Sequence, residues 1–200
     1  WGGAGQSLMR QYNGNTAVSI ADNVQSFKIA FAPEQLLSMH DEGSGSNLKS
    51  VAPLSTNWLC EYFVPGLAPG ATSWSVTHLK LQLQRNGTST GTLTVKLYSA
   101  GANNSPSGVL ASTTVDVTSI SSSAPQWINV PLSQTSLTPG TGLCLVLTTG
   151  GTSTIVNAFY DNAAATSNTV YQTSTTGNGG WTPSANQSLQ FMVYGAVTTP

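Results

Sequence analysis

From Trp58 onward, the chain alternates apolar and polar residues with a period of two. Successive side chains of an extended strand point to opposite faces, so this alternation predicts strands with one face in a core and the other in solvent. Five of these strands carry three apolar residues on one face: Leu79/Leu81/Leu83, Leu93/Val95/Leu97, Ile128/Val130/Leu132, Leu143/Leu145/Leu147 and Leu189/Phe191/Val193.

Short strands recur along this whole segment and are separated by Gly, Pro, Asn and Ser. The connections are mostly too short for the crossover helices that a parallel sheet needs. The pattern therefore predicts an all-β protein, an antiparallel two-sheet sandwich of jelly-roll type. The predicted strands are residues 58–64, 75–84, 92–99, 109–117, 126–132, 142–149, 154–160, 169–173 and 189–194.

The N-terminal part of the chain has a different pattern. Residues 7–12 and 17–20 are predicted to form a hairpin around the Asn-Gly-Asn turn at residues 13–15, and residues 24–31 alternate again with a period of two. Two or three N-terminal strands are therefore expected before the sandwich begins.

Residues 32–57 are the least regular part of the sequence, with two prolines and a Gly-Ser run at residues 43–46. We expect a linker or long loop here, with at most one short helix over residues 34–40. The predicted domains are an N-terminal hairpin and linker, residues 1–57, and the sandwich, residues 58–200.

The composition indicates a folded protein with a neutral, hydroxyl-rich surface. Hydrophobic residues make up 39% of the chain, but charged residues only 6%, far below the usual quarter. The net charge of −1, without a basic cluster, argues against nucleic acid as a partner. No run approaches the ~20 apolar residues of a membrane helix. Because the sequence starts at Trp1 rather than methionine, we expect an upstream piece, including any membrane anchor, to have been removed.

The two cysteines, Cys60 and Cys144, both lie inside apolar strand patterns. Two interpretations remain open: a pair of buried free thiols, or a disulfide that would suit an oxidising compartment. Isolated cysteines lack the paired CxxC spacing of a structural zinc site.

Few residues could carry out catalysis. The acidic residues Glu61, Asp116 and Asp161 are spread singly over the predicted sandwich, whereas glycoside hydrolysis needs two acids across one cleft. No G-x-S-x-G motif marks a nucleophile. The sequence therefore predicts that the protein is not an enzyme.

The run His40-Asp41-Glu42 is the one sequence cluster of histidine and carboxylates. A solvated loop is the main interpretation, and Asp41 and Glu42 are weak candidates for a cation site. We expect no cofactor, although a structural calcium ion would be compatible with this run.

Aromatic residues beside amides are the better candidates for a binding site. Aromatic rings pack against the CH groups of sugars while amides and carboxylates hold the hydroxyls. The alternative is that these rings only cover the ends of the sandwich. The candidate sugar-binding residues are Trp127, Tyr160, Asp161, Asn162, Tyr171 and Trp181.

Residues 58–195 resemble a known family. The segments at 60–65, 74–79, 91–98, 137–147 and 189–195 are similar to the strands of bacterial surface β-sandwich domains of the choice-of-anchor type. The resemblance implies a cell-surface module, and the family carries no catalytic residues that map onto this chain.

The N-terminal part has another likeness. Residues 8–14, followed by Ala-Asp-Asn-Val-Gln-Ser-Phe at 21–27, resemble the head-domain sheet of minor type IV pilins and secretion pseudopilins. Those proteins begin with a long hydrophobic helix, which this sequence lacks. The resemblance implies the soluble head of a pilin-like protein.

These observations predict a non-catalytic structural or adhesion module, located extracellularly, at the cell surface or in the periplasm. The expected partners are other surface or filament subunits, or glycans. One alternative is a carbohydrate-binding module of a secreted protein, and a second is a capsid or tail-fibre jelly roll.

Overall fold

The computed structural model describes residues 4–10, 16–24, 33–41, 47–163 and 166–200. The chain divides into two compact units, Trp1–Ala32 and Pro33–Pro200.

In the first unit, strands β1 (Gln6–Arg10) and β2 (Val18–Val24) pair in antiparallel fashion, which confirms the predicted N-terminal hairpin. The strand predicted at residues 24–31 lies, apart from Val24, outside the described residues. The Asp22 carboxylate accepts hydrogen bonds from the hydroxyls of Ser7 and Ser19, and these bonds lower its pKa.

The second unit is built almost entirely of strands. The helical residues in the described part of this unit include two three-residue 3-10 helices, Ala102–Asn104 and Val117–Ser119. No helix in the described segments has the length and apolar character to cross a membrane. The strands are β3 (Gln35–His40), β4 (Leu48–Val51), β5 (Trp58–Phe63), β6 (Ser73–Arg85), β7 (Thr92–Ala100), β8 (Pro106–Asp116), β9 (Gln126–Val130), β10 (Gln134–Leu137), β11 (Leu143–Thr149), β12 (Val156–Asp161), β13 (Thr169–Ser174), β14 (Thr182–Ser184), β15 (Ser188–Leu189) and β16 (Phe191–Thr198).

These strands form two antiparallel sheets. The six-stranded sheet has the order β14-β13-β5-β11-β7-β8. The eight-stranded sheet follows the path β15-β12-β6-β16-β3, with β9 and β10 also paired to β6 and β4 paired to β12. The prediction of an all-β antiparallel sandwich is confirmed.

The core lies between the inner faces of the two sheets. The five apolar triplets predicted from the alternation all point into it, with the half-buried Ile128 at its margin. Trp74 on β6 and Phe191 on β16 are among its largest buried side chains. Each fully buried leucine or phenylalanine contributes about 1.5–3 kcal/mol, so these alternating faces are the main source of stability.

Part of the linker predicted before Trp58 is strand, and the short helix allowed over residues 34–40 does not form. Residues 35–40 form β3, which pairs with β16 from Gln35↔Gly195 to His40↔Phe191, and β4 pairs with β12. Leu37 is buried in the core. Pairing with β16 decides the conformation here because it satisfies the backbone and buries Leu37, which overrides the weak local preference. The sandwich thus begins after Ala32, earlier than the predicted boundary after residue 57.

Candidate functional site

The outer face of the six-stranded sheet carries a second apolar cluster, separate from the core. Its buried members are Cys60, Tyr98, Cys144 and Val146, and the half-buried Trp181 is among the residues that pack against them. Apolar side chains on an outer face are buried only when other residues shield them from water. Two segments shield this cluster, residues 101–106 and 175–181, and we call them the first and second covering segments.

The first covering segment turns left-handed at two consecutive asparagines. Asn103 has a φ of 56° and Asn104 a φ of 60°, a conformation that asparagine tolerates better than most residues. The carbonyl of Asn104 accepts hydrogen bonds from Cys144 Sγ at 3.2 Å and from Gln172 Nε2 at 2.8 Å. These bonds fix the segment to the outer face of the sheet.

The second covering segment joins β13 to β14. Gly177 and Gly180 have φ values of 81° and 58°, which favour glycine because it has no Cβ. The Gly179 carbonyl accepts hydrogen bonds from the hydroxyls of Ser174 and Thr176. The segment is therefore shaped by its own hydrogen bonds, and it brings Trp181 to the cluster.

Between the two covering segments lies a groove with a volume of 620 Å³, which we call the Trp181 groove. Its lining combines one indole ring, two prolines and several amide, hydroxyl and backbone groups. None of these residues is ionisable, so the groove offers apolar surface and neutral hydrogen-bonding groups without a charge. The lining residues are Asn103, Ser105, Pro106, Gln172, Asn178, Gly179, Gly180, Trp181 and Pro183.

Of the six residues predicted to bind a sugar, Trp181 alone lines this groove. Tyr160 and Tyr171 instead pack with the core, where their rings stack at a centroid distance of 5.4 Å. Tyr171 is only 3% exposed, and burial raises the pKa of its hydroxyl. The prediction that Tyr171 binds a ligand on the surface is wrong, because its position on β13 points inward.

Asp161 and Asn162 follow directly after Tyr160 but lie outside the groove lining. The buried Asp161 carboxylate accepts a hydrogen bond from the Ala163 N–H at 2.8 Å and lies 3.5 Å from Nε2 of His40. Asn162 is exposed, and its side-chain oxygen accepts a hydrogen bond from Gln187. Both side chains thus have partners within the fold.

Trp127 lies on the other sheet. It is half-buried on β9, opposite Gln82 of β6. The two predicted tryptophans, Trp127 and Trp181, therefore belong to different sheets and do not form one site.

Of the run His40-Asp41-Glu42, the structure describes the first two residues. His40 is buried, with Nδ1 2.7 Å from the Thr166 hydroxyl, whereas Asp41 is exposed. Glu42 lies outside the described residues. Among the described residues, no group of three His, Cys, Asp or Glu side chains is placed to hold a metal ion.

Cys60 and Cys144 are free thiols on adjacent strands of the same sheet. They occupy diagonal positions, because Cys60 faces Val146 and Cys144 faces Tyr62. Burial, and secondarily the neighbouring Cys144, raise the pKa of the Cys60 thiol. Of the two alternatives, the structure has the buried thiols and not the disulfide.

We expect reductant to leave the melting temperature unchanged, because there is no cross-link to remove. The native protein should react slowly with a thiol reagent. The denatured, unreduced protein should react with two equivalents of the reagent, one at each free cysteine. A melting temperature that drops by several degrees under reductant would show instead that the thiols are joined in solution.

Glu61 is a buried carboxyl group on the inner face of β5. It accepts hydrogen bonds from the Ser188 hydroxyl at 2.7 Å and the Leu189 N–H at 2.8 Å, and so links the two sheets. Burial raises its pKa to about 8, so that it is a neutral acid at pH 7. The carboxyl group is shielded from solvent and bonded within the fold.

The amide residues of the groove were missed by sequence reasoning. Asn103 and Asn178 lie in turns, and Gln172 sits in a strand whose partners were not known. The Asn-Asn and Gly-Asn-Gly-Gly runs mark the two turns, but only the sheet order brings them together.

No family model fits the chain, and no curated protein is significantly similar to it.

Proposed function

We propose that the chain is a non-catalytic extracellular module that adheres to surfaces by binding an uncharged glycan in the Trp181 groove. The observation that supports this proposal most directly is the groove lining, an indole ring surrounded by amides, hydroxyls and backbone groups without one ionisable side chain.

Such a lining suits a sugar for two reasons. An indole face packs against the CH groups of a pyranose ring, and amide side chains both donate to and accept from hydroxyls. An anionic ligand would be left without a counter-charge in the groove, which makes a neutral glycan the better fit.

The same lining supports the proposal that the protein is not an enzyme. General acid–base catalysis needs a titratable group within about 3 Å of the reacting atom. The groove lining has none, and the buried Glu61 and His40 lie in the fold without access to a ligand.

A second proposal concerns the N-terminal unit, which would serve as part of a pilin-like or pseudopilin-like head. A two-stranded hairpin is only marginally stable by itself. On β2, Val18 and Ile20 are 63% and 60% exposed, apolar surface that a neighbouring filament subunit could cover. This proposal implies a cell-surface location and subunits of the same filament as partners.

Trp181→Ala is expected to weaken binding of a neutral oligosaccharide at least about tenfold, since it removes the stacking surface. Asn178→Ala, which removes one exposed amide, should weaken it less, by about threefold to tenfold. An array of neutral and anionic glycans identifies the ligand, and calorimetry with the best neutral oligosaccharide measures the affinities.

Trp127→Ala is the matched control, because it removes a half-buried tryptophan from the other sheet. It should leave the affinity unchanged. Raising the salt concentration should also leave the affinity unchanged, because the groove is uncharged. The proposed site would be contradicted if no glycan on the array bound. It would also be contradicted if the two folded tryptophan variants lost affinity equally.

A further inference from the structure

Strand β8 forms one edge of the six-stranded sheet. It pairs with β7 on one side, and within the described part of the chain no strand pairs with its other side. An unpaired edge presents a row of backbone N–H and C=O groups to which another strand can bind.

The interior of β8 lacks the charges and prolines that usually protect an edge strand; these lie only at its two ends, Pro106 and Asp116. From Ser107 to Val115 it contains no charged residue and no proline. The opposite edge of the same sheet, β14, has only three residues and includes Pro183. Charges, prolines and short length are the devices that keep edge strands apart, so β8 is the open edge of this sheet.

The C-terminal half of β8 is also regular. Its register shifts fall before Ala111, and from Ala111 to Asp116 every residue pairs in sequence with β7. Val109 and Leu110, just before this stretch, are 55% and 37% exposed. A regular, uncharged strand next to exposed apolar side chains favours strand addition.

We propose that β8 is a self-association edge, at which a second copy of this chain adds its own β8 in antiparallel orientation. A two-fold axis at Thr113 places Thr113 opposite its counterpart, Ser112 opposite Thr114, and Ala111 opposite Val115. Opposed residues then share a face, as the pleat requires, and the threonines form favourable cross-strand pairs. The two six-stranded sheets become one continuous sheet.

Charge supports a second copy as the occupant. The acidic residue at the end of β8, Asp116, faces Leu110 of the other copy in this register. The two Asp116 carboxylates then lie about 20 Å apart along the strands, well beyond the screening length of roughly 8 Å. The edge thus pairs with itself without opposing like charges.

A single strand pair buries less surface than a permanent dimer, so the association is weak and depends on concentration. Sedimentation of the 200-residue chain over a wide concentration range is expected to show a reversible monomer–dimer equilibrium. At high concentration, hydrogen exchange should slow at the outward-facing amides between Ala111 and Val115.

Two charged variants test the register. Ser112→Lys/Thr114→Lys and Ser112→Glu/Thr114→Glu each oppose like charges in two cross-strand pairs, and each should weaken the dimer about tenfold or more. A mixture of the two variants opposes unlike charges and should associate again. Both positions are exposed on the outer face, so folding should be retained, which thermal unfolding checks.

A strictly monomeric chain at all concentrations would overturn the proposal. A dimer that persists in both variants would also overturn it, because the second copy would then bind elsewhere. Neither result depends on glycan binding, which is measured separately.

Discussion

Gly195→Ala is expected to lower the free energy of unfolding by about 3 kcal/mol or more, a fall in melting temperature of about 10 °C. Gly195 lies in β16, between β6 and β3, next to register shifts in both pairings. A Cβ at this position would overlap the Ser75 carbonyl oxygen and lie 2.6 Å from Leu37 Cδ1. The obstacle is backbone, which has little freedom to move in the middle of a sheet.

Gly150→Ala is the matched control for this prediction. A Cβ at Gly150 meets no atom within 4 Å, so its melting temperature should stay close to that of the unmodified chain. Thermal unfolding followed by circular dichroism compares the two variants. Equal melting temperatures would mean that β16 does not approach β6 as closely as described.

Glu61→Gln is expected to stabilise the protein at pH 8 by several kcal/mol, on the order of 4, and to leave its stability near pH 4 almost unchanged. The glutamine side chain can accept the hydrogen bond from the Leu189 N–H and donate to the Ser188 hydroxyl. It therefore keeps the contacts of Glu61 without a group that ionises.

The sign of this pH dependence follows from the protonation of Glu61 in the folded and unfolded states. In the unfolded chain the Glu61 carboxyl ionises above its ordinary pKa of 4.5, whereas in the folded protein its pKa is about 8. Between these values the folded state holds the extra proton, so the free energy of unfolding falls as the pH rises. Below pH 4.5 both states are protonated, and the contribution of Glu61 to stability is fully present.

Denaturant unfolding from pH 4 to pH 9 measures this dependence. Asp116→Asn is the control, because hydrogen bonds from Thr118 lower the pKa of this exposed carboxylate, and its replacement should leave the slope between pH 5 and pH 8 intact. If Glu61→Gln showed the same slope as the unmodified chain, the buried carboxyl would not be its source.

The sandwich was predictable because its core strands follow one simple rule. Alternate residues of β7 are apolar, leucines occupy alternate positions of β11, and the register Leu97↔Leu145 and Val95↔Leu147 brings these positions to the same inner face. An alternation with a period of two can be recognised from the local sequence and the geometry of a strand alone.

Strand β3 was missed because its alternation is broken by a bulge. The register shift opposite Val193 and Tyr194 lets Leu37 point inward while Leu36 and Met39 are exposed. A sequence with Leu-Leu followed by Ser-Met resembles a helix as much as a strand. Its conformation is decided by β16, which lies more than 150 residues later.

The site was only partly predictable for a related reason. Trp181 and Tyr171 both border the segment between β13 and β14, and sequence proximity suggested that they act together. The fold separates them, because Tyr171 on β13 points to the core, whereas Trp181, just before β14, packs on the outer face. The amides of the groove come from segments about 70 residues apart, joined only by the sheet order.

The place of β16 in the eight-stranded sheet has a consequence for synthesis. The ribosome releases β3 and β6 long before β16, yet β16 lies between them and forms both ladders. Until β16 has emerged, the nascent chain lacks the strand that joins the two, so β3 is added to the sheet late and through long-range contacts. For a chain that leaves the cytoplasm, as proposed above, β3 would reach its destination before folding only if export precedes the pairing with β16.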